Sequence, residues 1–124
     1  MASVSDIERV VKQKGDVLTI HPRSTAQQAA HKMFENKVGC LVIVDQRGHL
    51  QGILSERDIV RQVVAAAKNP AAVTVGSIMT REVVSCNLAT PLSQARQLMA
   101  QHGVRHLPIV EGGVPVGMIS SRDV

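Results

Sequence analysis

Apolar and polar residues follow two spacings along this chain, one typical of strands and the other typical of helices. Cys40–Val44 is apolar throughout, as expected of a strand buried on both faces. Asp45–Gly48 then predicts a turn and Leu50–Leu54 a returning strand, so these two strands should form a hairpin. Upstream, Ser24 and Gln27 have the spacing of a capping box, which predicts a helix beginning at Ser24.

Two further elements flank this segment. We predict a short strand at Val17–Ile20 and a second helix from Ser55 to about Lys68. The resulting order is β-α-β-β-α, in which the first two strands should be parallel because a helix joins them. The apolar residues predicted to share one helix face are Ala26, Ala29, Ala30, Met33, Phe34 and Val38 in the first helix, and Ile59, Val60, Val63, Val64 and Ala67 in the second.

The second half of the chain repeats this pattern. Gly-Ile-Leu-Ser-Glu-Arg-Asp at 52–58 returns as Gly-Met-Ile-Ser-Ser-Arg-Asp at 117–123. A self-match of this kind predicts a duplicated unit that stacks on its copy. The corresponding elements are a strand at Val83–Cys86, a helix capped by Thr90 with Pro91 at its first position, and a hairpin of Leu107–Val110 and Val114–Ile119.

The duplication predicts an α+β fold with small α/β-type sheets, built from two β-α-β-β-α repeats with pseudo-two-fold symmetry. We expect an N-terminal helix in residues 1–14, the first repeat in 15–68, a linker in 69–76 and the second repeat in 77–124. The second repeat stops one residue after Asp123, so its last helix should be truncated. Its apolar face should then be covered by the N-terminal helix or by another subunit.

Composition narrows the possible functions. Hydrophobic residues make up 44% of the chain, yet Phe34 is its single aromatic residue. The net charge of +4 suits small phosphorylated anions as well as nucleic acid, but aromatic platforms for stacking bases are missing. No apolar run approaches the roughly 18 residues of a membrane span. Cys40 and Cys86 form no CxxC pair and suggest a reducing, cytoplasmic location.

The chain resembles a tandem CBS domain pair (a Bateman module), like those of stand-alone bacterial CBS proteins, over residues 15–124. Three motifs carry the resemblance: Arg105–Val110 before the second hairpin, Val75–Thr80 between the repeats, and Gly-x-x-Ser-x-Arg-Asp at the end of each repeat. The resemblance implies a regulatory module that binds AMP, ADP, ATP, NAD or S-adenosylmethionine in clefts between the repeats, with AMP the first choice. Ligand binding would transmit a conformational change to a partner protein.

The same resemblance implies no catalysis, no required cofactor, and homodimerisation through the helices into a disc. It assigns ribose to Asp58 and Asp123, and phosphate to Ser55 with Arg57 and to Ser120 with Arg122. The sites are expected to be crossed, Asp123 serving the Val38 side and Asp58 the Val104 side. Backbone around one adenine would come from Leu18, Val38, Gly39 and Cys40, and around the other from Thr80, Val84, Val104, Arg105 and His106.

Each assignment has an alternative. Ser-x-x-Asp also has the spacing of a helix cap, although its duplication favours binding, and the Ser can serve both purposes. The module could instead act in ligand-independent assembly with itself or another protein. His102 and His106 have the spacing of zinc ligands, but Gly103 should end the helix between them, so we predict no metal site. No nucleophile and base pair supports an enzyme.

Overall fold

The computed structural model describes residues 2–7 and 17–124. It divides into two compact units, one formed by Leu18–Val83 and the other by Val84–Val124 with the described residues that precede Leu18. The described part of the predicted N-terminal helix is a 3-10 turn at Val4–Asp6. The rest of that prediction, residues 8–14, lies outside the described residues.

The Leu18–Val83 unit is built around a three-stranded sheet with the strand order β1-β2-β3. β1 and β2 are parallel, and β2 and β3 are antiparallel, which confirms the predicted crossover and hairpin. The elements are β1 (Thr19–Ile20), α1 (Ala26–Asn36), β2 (Cys40–Val44), β3 (Leu50–Ser55), α2 (Glu56–Ile59), which continues as a π-helical turn (Val60–Val64), and α3 (Val75–Ile78).

Helix α1 begins one residue later than the sequence suggested. Thr25 is the N-cap, and its hydroxyl accepts the Gln28 N–H while the Gln28 side chain accepts the Thr25 N–H. The predicted Ser24–Gln27 box was therefore wrong. The backbone of Ser24 is already committed, because its N–H donates to His21 at 3.0 Å and its carbonyl accepts from Val75 at 2.7 Å.

Only part of the predicted helix faces is buried. Ala26, Ala29 and Met33 of α1 pack with Ile59 and Val63 against the sheet residues Leu41, Ile43 and Leu54. The prediction that Phe34, Val60, Val64 and Ala67 face the core was wrong, because Phe34, Val60 and Val64 are 84%, 58% and 68% exposed and Ala67 is exposed too. A helix presents one face to a sheet, and the buried residues already fill it.

Residues 70–80 complete this unit. The N–H of Ala26 donates to Val73 at 2.8 Å, and the N–H of Gly76 donates to Pro22 at 2.8 Å. Val75 and Ile78 of α3 are buried in the same core. The segment that the sequence assigned to the linker and to the start of the second repeat thus lies with the first repeat's sheet.

The other unit contains α4 (Leu92–His102) and a two-stranded antiparallel sheet of β4 (His106–Glu111) and β5 (Val114–Ser120). The predicted hairpin is confirmed. The predicted strand at Val83–Cys86 is wrong, because only Cys86 forms a parallel bridge, to Ile109. Thr90 is not the helix cap either, since its hydroxyl accepts the Asn87 N–H at 3.0 Å and Pro91 occupies the cap position.

The N-terminal turn packs into this second unit. Val4 is fully buried against Leu107, Ile109 and Ile119. Its N–H donates to the Thr90 carbonyl at 2.9 Å. The described N-terminal residues therefore cover apolar surface of the second repeat. Across residues 2–7 and 17–124, none of the helices has the length and apolar character needed to cross a bilayer.

Candidate functional site

The first Ser-x-Arg-Asp motif lies where β3 becomes α2, and its Ser and Asp cap that helix reciprocally. The Asp58 carboxylate oxygen Oδ2 accepts the Ser55 N–H at 2.9 Å and the Ser55 hydroxyl at 3.1 Å. The Ser55 Oγ in turn accepts the Asp58 N–H at 3.2 Å. The capping alternative is therefore confirmed for this motif, and it also fixes the Asp58 carboxylate in one orientation.

The second oxygen of Asp58 has a partner that the sequence analysis did not single out. The Arg61 Nη2 lies 3.2 Å from Asp58 Oδ1, three residues along the helix. The Asp58 side chain is 11% exposed and the Arg61 side chain 66% exposed. Opposite charges three residues apart on a predicted helix are the signal that would have found this pair.

The segment Val38–Cys40 is attached to the same junction. The Glu56 N–H donates to the Gly39 carbonyl at 2.9 Å, and Cys40 is the partner of Ser55 in the β2–β3 ladder. Burial, together with the negative charge of Asp58 as the smaller cause, raises the pKa of the Cys40 thiol to about 12. The thiol is thus neutral at physiological pH and lies within the electrostatic reach of the Asp58 carboxylate.

Leu18 and Thr80 lie in the same unit, and their backbone groups are in use. The Leu18 carbonyl accepts the Val42 N–H at 3.2 Å. Thr80 and Ile53 exchange two backbone hydrogen bonds, at 2.9 and 3.0 Å. A ligand at Thr80 would therefore meet its side chain or the remaining lone pair of its carbonyl, since its N–H is engaged.

The second Ser-x-Arg-Asp motif, at the end of β5, holds its Asp by the same Ser groups, although Ser120 Oγ accepts the Arg122 N–H at 3.3 Å. Asp123 Oδ2 accepts the Ser120 N–H at 2.6 Å and the Ser120 hydroxyl at 3.2 Å. The Ser121 N–H donates to the Arg105 carbonyl at 2.8 Å, as Glu56 does to Gly39 in the first unit. Both motifs thus hold their Asp by the same Ser groups and tie it to the segment before the hairpin.

Each unit gathers its own set of predicted residues. The Leu18–Val83 unit holds Leu18, Val38, Gly39, Cys40, Ser55, Arg57, Asp58 and Thr80, and the other unit holds Val84, Val104, Arg105, His106, Ser120, Arg122 and Asp123. Arg57 and Arg122 are exposed, and among the described residues neither guanidinium forms a hydrogen bond or an ion pair. The crossed pairing of Asp123 with Val38 and of Asp58 with Val104 stays a prediction.

An apolar groove of about 830 Å³ is lined by residues of α1, of α2 and of the segment that follows α1, and we call it the Phe34 groove. Its apolar floor includes Met33, Val38 and Ile59, while Phe34 itself is 84% exposed. Sequence reasoning missed it because Phe34 and Val60 were expected in the core. Its lining residues are Ala30, Met33, Phe34, Glu35, Lys37, Val38, Gly39, Glu56, Ile59 and Val60.

The described part of the chain offers no group of three or more His, Cys, Asp or Glu side chains that could hold a metal ion. Helix α4 ends at His102, where Gly103 takes the left-handed conformation with φ 64°. His102 and His106 therefore do not lie on one helix. Cys40 and Cys86 are free thiols.

Comparison with known proteins assigns the chain to the same family that its motifs indicated. The CBS domain family profile matches residues 4–65 and 75–124. The chain belongs to the CBS domain family and carries two of its domains in tandem. CBS domain pairs are generally regulatory modules without catalytic activity.

Two curated relatives support this assignment. The CBS domain-containing protein YhcV of Bacillus subtilis is 39% identical over 108 residues, which span 87% of this chain and 76% of that protein. A Methanopyrus kandleri protein is 37% identical over 110 residues, which span 88% of this chain and 56% of that protein. The chain thus matches only part of the length of each relative.

Solved structures show the same fold. The CBS-domain protein ATU1752 from Agrobacterium tumefaciens is 30% identical, with a TM-score of 0.86 covering 98% of this chain and 89% of that one. The hexameric CBS-CP12 protein from bloom-forming cyanobacteria is 27% identical, with a TM-score of 0.83 covering 99% of this chain and 69% of that one. These similarities confirm the predicted α+β class with small sheets.

Proposed function

We propose that this chain is a regulatory module that senses adenine nucleotides through its two Ser-x-Arg-Asp motifs. The observation that carries the proposal is a feature that the two motifs share, an Asp held by its Ser beside an exposed Arg. A cap alone needs no Arg between Ser and Asp. AMP is the first candidate ligand, followed by ADP, ATP, NAD and S-adenosylmethionine.

The chemistry of the motif suits a ribose phosphate. A carboxylate accepts hydrogen bonds from the two hydroxyls of ribose, and Asp58 is already oriented for this by Ser55. The exposed guanidinium of Arg57 or Arg122 can donate charge-assisted hydrogen bonds to phosphate oxygens. Aliphatic side chains such as Val38 and Val104 can cover the faces of adenine, so an aromatic residue is not required.

Thermal unfolding with each nucleotide, followed by circular dichroism because the chain lacks Trp, tests this proposal. A ligand at a hundred times its dissociation constant adds about 2.7 kcal/mol of stability. That gain raises the melting temperature of a domain of this size by several degrees. Asp58→Asn and Asp123→Asn should each reduce the shift, whereas Glu82→Gln, which removes a charge outside the motifs, should not.

An absent shift with all five nucleotides at millimolar concentration would contradict nucleotide sensing and favour ligand-independent assembly. A shift that both Asp variants retain would show binding elsewhere on the protein. The family's regulatory role supports a regulated protein partner, to which ligand binding would transmit a conformational change. We place the module in the cytoplasm because its two thiols are free.

We further propose that the Phe34 groove is the surface through which two copies of the chain form a homodimer. Phe34, Val60 and Val64 expose an apolar surface along α1 and α2, and such patches are typical of interfaces. Glu35, Lys37 and Glu56 at the groove carry both signs of charge, so a second copy can meet them with opposite charges. The hexameric assembly of the CBS-CP12 protein shows that a similar fold can oligomerise.

A further inference from the structure

We infer that Arg61 determines how strongly the first Ser-x-Arg-Asp motif prefers phosphorylated over unphosphorylated nucleosides. This inference rests on the proposed function, because it concerns the ribose contact of Asp58. Arg61 lies outside the motif itself. Its guanidinium nevertheless lies 3.2 Å from the one carboxylate oxygen of Asp58 that Ser55 does not hold.

The hydrogen-bonding capacity of Asp58 explains why this pair matters. A carboxylate offers about four acceptor positions. The Ser55 N–H and hydroxyl occupy two of them on Oδ2, and the Arg61 Nη2 occupies a third on Oδ1. A single acceptor position is then left for the two hydroxyls of a ribose. Binding both hydroxyls therefore requires Arg61 to leave Asp58.

Arg61 can leave because little else holds it. Its side chain is 66% exposed, and its ion pair with Asp58 is its one side-chain contact of this kind among the described residues. Displacement costs the energy of a partly exposed ion pair. A nucleoside offers the freed guanidinium nothing in return, whereas a nucleotide offers it phosphate oxygens, which are strong partners of Arg. The pair thus penalises adenosine more than AMP.

The test uses Asp123→Asn protein, so that binding reports on the first motif alone. Dissociation constants for adenosine and AMP are measured by isothermal titration calorimetry with Arg61→Ala, Arg61→Lys and the control Arg47→Ala, which removes the same charge from an exposed turn. Arg61→Ala should bind adenosine about two- to fivefold more tightly, the range of an exposed ion pair. Its AMP-to-adenosine preference should fall, and the control should match the parent protein.

The salt dependence of adenosine affinity distinguishes the proposed role of Arg61 from a merely structural one. Adenosine is uncharged, so salt acts on its binding mainly by screening the Arg61–Asp58 pair. Adenosine affinity should therefore rise with salt in the parent protein and in Arg61→Lys, and stay flat in Arg61→Ala. Circular dichroism confirms that each variant is folded.

Failures of the two proposals are distinguishable. If adding Asp58→Asn changes neither AMP nor adenosine binding, the proposed ribose site is wrong. If Asp58→Asn abolishes binding but Arg61→Ala leaves adenosine affinity unchanged or weaker, the site stands and the role of Arg61 is overturned. If Arg61→Ala binds AMP and adenosine more tightly by the same factor, the role of Arg61 in selectivity is also overturned.

Discussion

The Ser55 hydroxyl donates to the Asp58 carboxylate at 3.1 Å, and each of the two side chains also accepts the backbone N–H of the other residue. This reciprocal arrangement gives Asp58 a structural role that exists without any ligand. Loss of ligand binding in an Asp58 variant is therefore informative only if the helix cap is preserved.

Asp58→Ala and Asp58→Asn should separate the two roles. Alanine cannot accept the Ser55 N–H, so we expect Asp58→Ala to lower the free energy of unfolding by about 1 kcal/mol, the usual value of a cap. Asparagine keeps an oxygen acceptor and should cost less, while still losing the charge that ribose binding uses. Chemical denaturation of the ligand-free protein measures both. Equal destabilisation by the two substitutions would contradict the capping geometry.

Gly52 and Gly117 occupy matching positions in the two repeats but have different neighbours. A Cβ at Gly52 would lie 2.8 Å from the Thr80 carbonyl oxygen and 2.7 Å from the Met79 sulfur. A Cβ at Gly117 would meet only the Ile109 side chain, 3.1 Å away at its Cδ1 atom. Gly52→Ala should therefore destabilise the protein by about 1–3 kcal/mol, because a backbone group must shift.

Gly117→Ala is the matched control for Gly52→Ala. The end of the Ile109 side chain can rotate away, so we expect a smaller loss from this substitution. Melting temperatures of the two variants, measured by circular dichroism, give the comparison. A larger loss at Gly117 than at Gly52 would show that Thr80 does not lie against Gly52.

The buried thiols predict a loss of stability at alkaline pH. Burial raises the pKa of Cys86 to about 11, from an ordinary value of 9.0. As the pH rises, the unfolded state releases the Cys86 thiol proton first, because the pKa of this thiol is higher in the folded state. The contribution of the thiol to the free energy of unfolding is therefore fully present below pH 9 and is lost as the pH rises toward 11.

Cys86→Ala tests whether the Cys86 thiol lowers the stability of the protein at alkaline pH. Urea unfolding at about pH 8 and about pH 10 should show a larger fall in stability for the parent protein than for Cys86→Ala. Lys titration affects both proteins equally and cancels in the comparison. An identical fall in the two proteins would show that the Cys86 thiol ionises as easily in the folded state as in the unfolded state.

The exposed Phe34 side chain predicts a variant that separates assembly from folding. Phe34→Lys should shift the protein from dimer toward monomer in analytical ultracentrifugation, because the charge would be buried at the proposed interface. The melting temperature of the monomer should change little, since Phe34 is 84% exposed. Gln27→Lys adds the same charge to an exposed position of α1 outside the groove and should leave the dimer intact. A wild-type protein that is monomeric at micromolar concentration would rule out this interface.

The sequence by itself determined the central elements of each repeat. Cys40–Val44 is predicted and observed with the same bounds, because a strand buried on both faces leaves an unbroken apolar run. The hairpin that follows it and its copy in the second repeat were equally visible, since turn residues separate the apolar runs. The duplicated Ser-x-Arg-Asp motif was also visible in the sequence, because a helix cap depends on the spacing of residues that are close together in the chain.

Only the tertiary structure decided which apolar residues face the core. Phe34 and Val60 are apolar and directly follow Met33 and Ile59 in the sequence. The sheet nevertheless contacts only the helix faces that carry Met33 and Ile59, so Phe34 and Val60 stay exposed. Val83–Cys86 looked like a strand but forms a single bridge, because pairing depends on a partner that lies far away in the sequence. Arg61 likewise became part of the candidate site only once folding placed its guanidinium against the one oxygen of Asp58 that Ser55 leaves open.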